Sequence, residues 1–318
     1  MTPLGYLSSD GRSASIILPL TWFTIIVSIA VCIIIAVLLW IAIARAAGRG
    51  GAAETRATAL SNDRSGDRWI TIGLTLSILP LLATLVWTMA ALAGVLSPAN
   101  RARIEIDVTG HRWWWEARYR GATGADGFVT ANEIHIPVGV PVAIRLYGGD
   151  VIHSFWVPKL AGKTDAIPGQ QNLTWLRADR PGRYRGQCSE FCGAQHAKMG
   201  FEIVAEPRGA FDRWRAGQRV TAPPPATEAQ MQGLALLNTR CGECHTVRGT
   251  VAAGRRAPDL THLMSRRTIA GALLPNTIGS LAGWVQDPQA VKPGSLMPAQ
   301  KLTGPELGAV TAYLETLK

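Results

Sequence analysis

Between Cys188 and Met199 the chain reads Cys188-Ser189-Glu190-Phe191-Cys192-Gly193-Ala194-Gln195-His196-Ala197-Lys198-Met199, with two thiols, an imidazole and a thioether at intervals of four, four and three. Thiolate and thioether sulfur with imidazole is the donor set of copper and zinc, which carboxylate-seeking metals avoid. Zinc sites are usually closed by four Cys or His donors, and methionine is not among the usual zinc ligands. A methionine beside Cys and His favours copper, whose potential a weak axial thioether tunes. Zinc, or a plain pair of buried cysteines in a loop, are the competing readings. These donors are few for two metal ions, so one more is expected from elsewhere. The best candidate is His153, in Asp150-Val151-Ile152-His153-Ser154-Phe155-Trp156. The pattern puts it at the end of a β-prone stretch, where a strand hands over to a loop.

A second motif, Cys241-Gly242-Glu243-Cys244-His245, has the CXXCH form that attaches a c-type haem. Each thiol forms a thioether to the haem, and His245 follows at once as an axial iron ligand. A thioredoxin-like CXXC is the alternative, but no βαβ pattern surrounds it. The sixth ligand is expected from Met297, in the constrained loop Lys292-Pro293-Gly294-Ser295-Leu296-Met297-Pro298, in preference to Met264 in a polar, helical-looking run.

The elements that must carry these motifs come in three blocks. Residues 16–44 and 69–96 are uncharged apolar runs, each longer than the roughly 20 residues that cross a bilayer as a helix. The first is too long for a signal peptide and lacks a basic leader. Pro80 lies in the second and marks a kink that membrane helices tolerate. The connecting stretch Arg45–Arg68 holds five arginines and three acids, which puts this loop in the cytoplasm and both chain ends outside. Cys32, alone in the first run, reads as a small buried hydrophobe.

From Arg101 the pattern turns to β: Ile104–Val108, Glu133–Pro137 and Val140–Leu146 are short strands, and Gly121–Gly127, Gly148-Gly149 and Pro181-Gly182 are turns. Many short strands so punctuated predict an antiparallel sandwich. His135, in one of these strands, reads as structural. In Gly110-His111-Arg112-Trp113-Trp114-Trp115-Glu116 the three tryptophans cannot share one face of a strand, so at least one should be exposed or at an interface. The stretch Ala216–Thr227 contains Pro223-Pro224-Pro225 and reads as a stiff linker. Thr227 to Gln230 and Thr303 to Glu306 are capping boxes for two helices, the second with Leu307, Val310, Tyr313 and Leu314 on one face.

Cys188, Cys192, His196, Met199 and His153 together resemble the binuclear copper site, CuA, of cytochrome c oxidase subunit II. The resemblance implies that Cys188 and Cys192 bridge two coppers, that His153 and His196 take one each, and that Met199 is a weak ligand to one. It implies that the backbone carbonyl of Glu190 is a weak ligand to the other, with the Glu190 side chain facing a magnesium shared with subunit I. It makes the sandwich a cupredoxin-type Greek key. It also identifies Trp113 as the residue where electrons enter from cytochrome c, with Trp114 in place of an expected tyrosine. The segment from Thr227 to Lys318 resembles a class I cytochrome c.

The resemblance thus covers nearly the whole chain: residues 1–98 as an N-terminal tail and two transmembrane helices, 99–215 as the cupredoxin CuA domain, 216–226 as the Pro-rich linker and 227–318 as the all-α cytochrome c domain. It implies subunit II of a bacterial respiratory cytochrome c oxidase in the plasma membrane, with its redox domains on the periplasmic face. Covalent haem attachment outside the cytoplasm agrees with the loop charge. Electrons would pass from an external donor through haem c and CuA to subunit I, where oxygen is reduced to water with proton pumping. A CuA-containing nitric oxide reductase subunit is the alternative. A non-redox, membrane-anchored metal-binding or assembly protein would leave CXXCH unexplained. The net charge is +10, spread as +2, +5 and +3 over residues 1–100, 101–226 and 227–318. Such scatter, without a recognised motif, excludes nucleic acid as a partner. A free-standing subunit II of this family is expected to offer acids to a basic cytochrome, so a positive copper domain fits a tethered donor.

Overall fold

The alternation in Ile104-Glu105-Ile106-Asp107-Val108 appears in the computed structural model as β1 (Ile104–His111), with every second side chain buried. The structure describes residues 4–47, 64–96, 102, 104–121 and 127–318. Residues 48–63 of the arginine-rich loop and 122–126 of the Gly121–Gly127 turn lie outside the described residues.

Two helices, α1 (Arg12–Ala47) and α2 (Arg64–Leu96), carry the apolar runs and begin several residues before them. Both are long and apolar enough to cross a membrane. Cys32 is exposed on α1, contrary to the expectation of burial. An apolar run does not distinguish a side chain covered by protein from one that lipid would cover, because lipid tails are as apolar as leucine.

Residues up to 15 and the chain from residue 98 onward form a separate compact unit. Its β part comprises β1, β2 (Trp114–Tyr119), β3 (Phe128–Ala131), β4 (Glu133–Pro137), β5 (Val142–Gly148), β6 (His153–Trp156), β7 (Thr164–Ala166), β8 (Asn172–Leu176), β9 (Gly182–Cys188) and β10 (Gly200–Glu206). They make two five-stranded sheets, ordered β3-β2-β1-β5-β8 and β4-β10-β9-β6-β7. The expected sandwich forms, but each sheet contains one parallel pair, β1–β5 and β4–β10. Connections that cross between the sheets bring these pairs together, and alternation along a strand says nothing of its neighbour's direction. Trp115, Phe155 and Phe201 pack at the centre, with ring centroids 5.6 Å apart for Trp115–Phe155 and 4.5 Å for Phe155–Phe201. A Cβ on Gly186 would stand 2.2 Å from the Phe201 ring, so glycine alone lets β9 pass beneath it.

Helix α3 (Arg208–Gly217) covers β4 and stacks Trp214 on His135, ring centroids 4.0 Å apart. His135 Nδ1 meets Glu206 at 2.7 Å and Nε2 meets Glu133 at 3.1 Å. Burial pulls its pKa down, but the two carboxylates outweigh it and the net shift is upward from about 6.5. A raised folded value means the imidazolium stabilises the fold fully below pH 6.5 and ceases to do so as the pH climbs through that raised value. The variant His135→Gln is therefore expected to be less stable than the parent by roughly 1 kcal/mol in acid. The gap between their thermal midpoints should shrink above neutral pH, and a gap that does not change with pH would refute this account.

Residues 218–227 lead into the C-terminal helices. The expected linker does not stand free: Ala222 N donates to the Arg248 carbonyl at 2.8 Å and its side chain packs on the C-terminal core. That part holds α4 (Glu228–Leu236), a two-strand ladder β11 (Thr268–Ile269) and β12 (Leu274–Pro275), then α5 (Ile278–Gln286), α6 (Pro288–Val291) and α7 (Gly304–Leu314). Helix α4 crosses α7 so closely that a Cβ on Gly233 would lie 2.0 Å from the Ala309 carbonyl oxygen. Val310, Tyr313 and Leu314 are buried and Leu307 packs on the same core, as the sequence pattern expects. Thr303 and Glu306 form a complete capping box. At Thr227 the box is displaced by one residue, since the Gln230 side chain accepts from Ala226 N.

Candidate metal centre and haem cavity

Strand β9 ends on Cys188, and the chain then folds into a loop and a single turn, His196–Lys198, before Met199 hands over to β10. His153 reaches this loop from β6, which pairs with β9 through Phe155 and Cys188. It opens that strand instead of closing the preceding one, because Gly148-Gly149 ends β5 and residues 149–152 form the turn.

The two thiol sulfurs lie 3.8 Å apart. That is far beyond the S–S bond of about 2.05 Å, so they are free to bind metal. His153 Nδ1 is 3.9 Å from the Cys188 sulfur, and His196 Nδ1 is 3.6 Å from that of Cys192. The Met199 sulfur is 3.7 Å from Cys192 Sγ, and the carbonyl oxygen of half-buried Glu190 is 3.3 Å from Cys188 Sγ. The nearest ligand atoms of His153, Cys188 and Cys192 all fall within 4.8 Å of one another. Contact with Cys192 does most to hold the Cys188 thiol at about 3, with burial opposing and His153 assisting. The same contact, with burial, raises Cys192. His153 Nε2 donates to Asp150 at 2.8 Å, so Nδ1 keeps its lone pair toward the sulfurs. Soft sulfur, two imidazoles, a thioether and a carbonyl suit copper.

The tryptophan run lies against this loop. Trp115 is in the core and Trp113 is buried, its Nε1 donating to the Cys192 carbonyl at 3.0 Å. Half-buried Trp114 stacks on His111, centroids 4.6 Å apart. None of the three is exposed; Trp113 meets an interface, formed where the C-terminal part covers it.

Beyond that tryptophan lies a cavity of about 630 Å³. Cys241, Cys244, His245 and Met297 line one part of it, and His111, Trp113 and Trp114 another. Helix α4 continues through a wider turn, Leu237–Cys241, which delivers the CXXCH residues to the wall. His245 Nδ1 donates to the Pro258 carbonyl at 2.7 Å, leaving Nε2 to face a metal. Burial holds its pKa below the usual range, keeping the imidazole neutral. Met264 packs in the C-terminal core and is not among the lining residues. The volume suits a large apolar ligand. His111 Nε2, buried without a partner on the wall, is an orphan that a polar haem substituent would satisfy. The residues fit a haem.

The sequence reading missed Asp150, which orients His153 and stands only three residues before it. It also missed His111, and the side chains of Gln195, Lys198 and Lys292 that join the two parts of the unit. Their partners are distant in sequence, so no local pattern announces them.

A thiolate–imidazole–thioether cluster beside a CXXCH cavity, on a chain with two helices long and apolar enough to cross a membrane, is the arrangement of a protein built to hold two metal centres. The family profile described as "Cytochrome C oxidase subunit II, periplasmic domain" matches residues 122–206, and the profile described as "Cytochrome c" matches residues 230–318. Cytochrome c oxidase subunit 2 of Alkalihalophilus pseudofirmus is 36% identical over 256 residues, covering 77% of this chain and 72% of that protein. The subunit 2 of Bacillus sp. (strain PS3) is 32% identical over 79% of this chain and 73% of its own length. That of Bacillus subtilis is 28% identical over the same shares. The chain belongs to the cytochrome c oxidase subunit II family, with a fused cytochrome c domain. It is thus a subunit of a haem–copper oxidase, and its two matched domains imply a CuA-type copper centre and haem c.

Proposed function

We propose that the chain relays single electrons from an external donor, through its haem c and a binuclear CuA centre, to subunit I, where oxygen is reduced to water with proton pumping. The observation that carries this reading is Trp113, buried between the two sites. Its indole donates to the Cys192 carbonyl, and its ring edge lies 3.7 Å from where a Cβ on Gly294 would stand, three residues before Met297. Bound there, the copper pair and the haem supply one-electron carriers.

The chain's own residues hold and shield them. Cys188, Cys192, His153 and His196 would hold the coppers, with the two thiolates shared between them, and Met199 and the Glu190 carbonyl would complete the set. Asp150 fixes the His153 tautomer, and the Pro258 carbonyl fixes that of His245. Cys241 and Cys244 would tether the haem covalently, and His245 and Met297 would hold its iron. The Glu190 carboxylate would help hold a magnesium shared with subunit I. Trp113 is the point where electrons enter the copper site, and here the haem domain covers it in place of a diffusing partner. The external donor is a cytochrome or cytochrome complex that docks on the C-terminal domain.

Sidedness is supported by the N-terminal segment. Asp10 N donates to the Lys159 carbonyl at 2.9 Å and Asp179 N to the Asp10 carbonyl at 2.8 Å. The chain therefore packs on its copper domain both before the helical hairpin and after it. With the arginine-rich loop cytoplasmic, both termini and the redox domains stand on the periplasmic face.

The test is metal and haem analysis of the purified complex, with rapid mixing of the reduced enzyme and oxygen. The expected content is about two coppers in a mixed-valence pair and one covalent haem for each copy of this chain. Oxidation of the haem should follow oxidation of the copper pair. Zinc in place of copper, or a mononuclear copper signal, would overturn the CuA assignment, and a haem that stays reduced would overturn the relay.

A further inference from the structure

We propose that Lys292 is the positioning residue that locks the methionine loop of the haem cavity onto the copper loop, and so sets how fast an electron crosses between the two sites. The inference rests on the relay reading and adds a residue to it. Lys292 is 3% exposed, and its Nζ donates to the Trp113 carbonyl at 2.7 Å and the Ala270 carbonyl at 3.2 Å. No carboxylate pairs with it among the described residues. A buried ammonium without a paired carboxylate is costly, so the hydrogen bonds it donates to its neighbours matter. Both oxygens it caps are strategic. One belongs to Trp113, whose indole holds the Cys192 carbonyl. The other belongs to Ala270, beside Gly271, whose own carbonyl accepts from Gly200 N at 3.0 Å where β10 begins.

Two further side chains fasten the same loop from the copper side. Gln195 Nε2 donates to the Pro293 carbonyl at 2.8 Å, and Lys198 Nζ to the Val291 carbonyl at 2.8 Å. Gln195 precedes His196 and Lys198 precedes Met199, so the fastenings alternate with candidate copper ligands. The seat is tight. A Cβ on Gly271 would lie 2.9 Å from Lys292 Nζ and 3.1 Å from the Trp113 carbonyl oxygen. Lys292 thus ties Trp113, the 270–271 turn and the loop that carries Met297 into one piece.

The step it serves is simple in balance. One electron leaves the haem site and one arrives at the copper site, with no bond made or broken and no proton moved. Without the ammonium, the Trp113 and Ala270 carbonyls lose their donor in a buried seam and the loops are free to part. The closed arrangement should then be disfavoured roughly tenfold or more.

The test uses the assembled oxidase with the full chain carrying Lys292→Met. After rapid mixing of the reduced enzyme with oxygen, haem oxidation by the copper site should slow roughly tenfold or more, with copper and haem content unchanged. Gly271→Ala keeps the charge but crowds its seat and strains the left-handed backbone of the 270–271 turn (φ 73° at Gly271), so it should loosen the same seam and slow the same step. An unchanged rate in both variants would overturn the proposal. So would a lower cofactor content with a parental rate per intact chain, which is what a merely structural lysine would give. If Lys292→Met loses its haem, Gly271→Ala decides alone. Absence of electron exchange in the parent enzyme would instead overturn the relay, so the two failures are distinguishable.

Discussion

Replacing Cys188 with serine is expected to strip the copper centre while leaving the haem in place. Cys188 sits 2% exposed at the end of β9, and the Cys192 contact foremost draws its thiol well below the ordinary thiol range, which favours the thiolate that copper binds. A serine hydroxyl is hard, stays protonated, and offers copper neither the soft donor nor the negative charge of a thiolate. Changes in the shell behind metal ligands already cost ten- to a hundredfold in affinity, and losing a sulfur donor should cost on the order of a hundredfold or more. Copper per chain, measured by elemental analysis, should fall toward zero, with the α-band of the haem intact. Oxygen consumption driven by the external donor should fall with it. Full copper occupancy in Cys188→Ser would show that the sulfurs are not the ligands.

The second large effect falls on the other motif. In the double variant Cys241→Ala with Cys244→Ala, no haem should remain attached after denaturation, because both thioether sulfurs are gone. His245 and Met297 alone would have to hold the cofactor, and an unfilled cavity of about 630 Å³ would stand between the Leu237–Cys241 turn, α5 and α7. Because a bound group stabilises only the folded state, the thermal midpoint of the C-terminal domain should drop as well. Haem staining of a denaturing gel reads the first effect and a thermal melt followed at the tyrosine and tryptophan bands reads the second. Covalent haem persisting in the double variant would remove CXXCH from the account. Copper content should be unaffected, which separates this variant from Cys188→Ser.

The motifs could be read from the sequence because their chemistry is local. A thiolate loop, or CXXCH on the end of a helix, carries its meaning within a dozen residues, and so do the caps at Thr227 and Thr303. Short β-prone runs likewise revealed a sandwich, though not the parallel pairs β1–β5 and β4–β10, which depend on which strands meet after the chain has crossed between sheets. His153 was legible as a donor, but its place at the head of β6 depended on where Gly148-Gly149 broke the preceding strand. Cys32 misled because apolarity does not say what surrounds a helix. Trp113 is the fullest case: its burial arises from contact with residues 179 and 181 positions further on, Lys292 and Gly294, and no window of sequence contains both sides. The Arg267 N to Glu133 hydrogen bond at 3.1 Å belongs to the same seam and was equally out of reach.

The ten residues from 218 to 227 that join α3 to α4 turn that seam into an encounter of a molecule with itself. A short tether of this kind holds two partners at an effective concentration in the millimolar range. A handful of hydrogen bonds, too weak to keep two diffusing proteins together, then suffices to keep the contact closed. Attraction between separate, oppositely charged proteins weakens as salt is added, because their encounter is steered over distances that ions screen. This contact has no encounter to steer. Ionic strength should therefore govern how fast the outside donor loads the chain, and leave the internal crossing at the same pace.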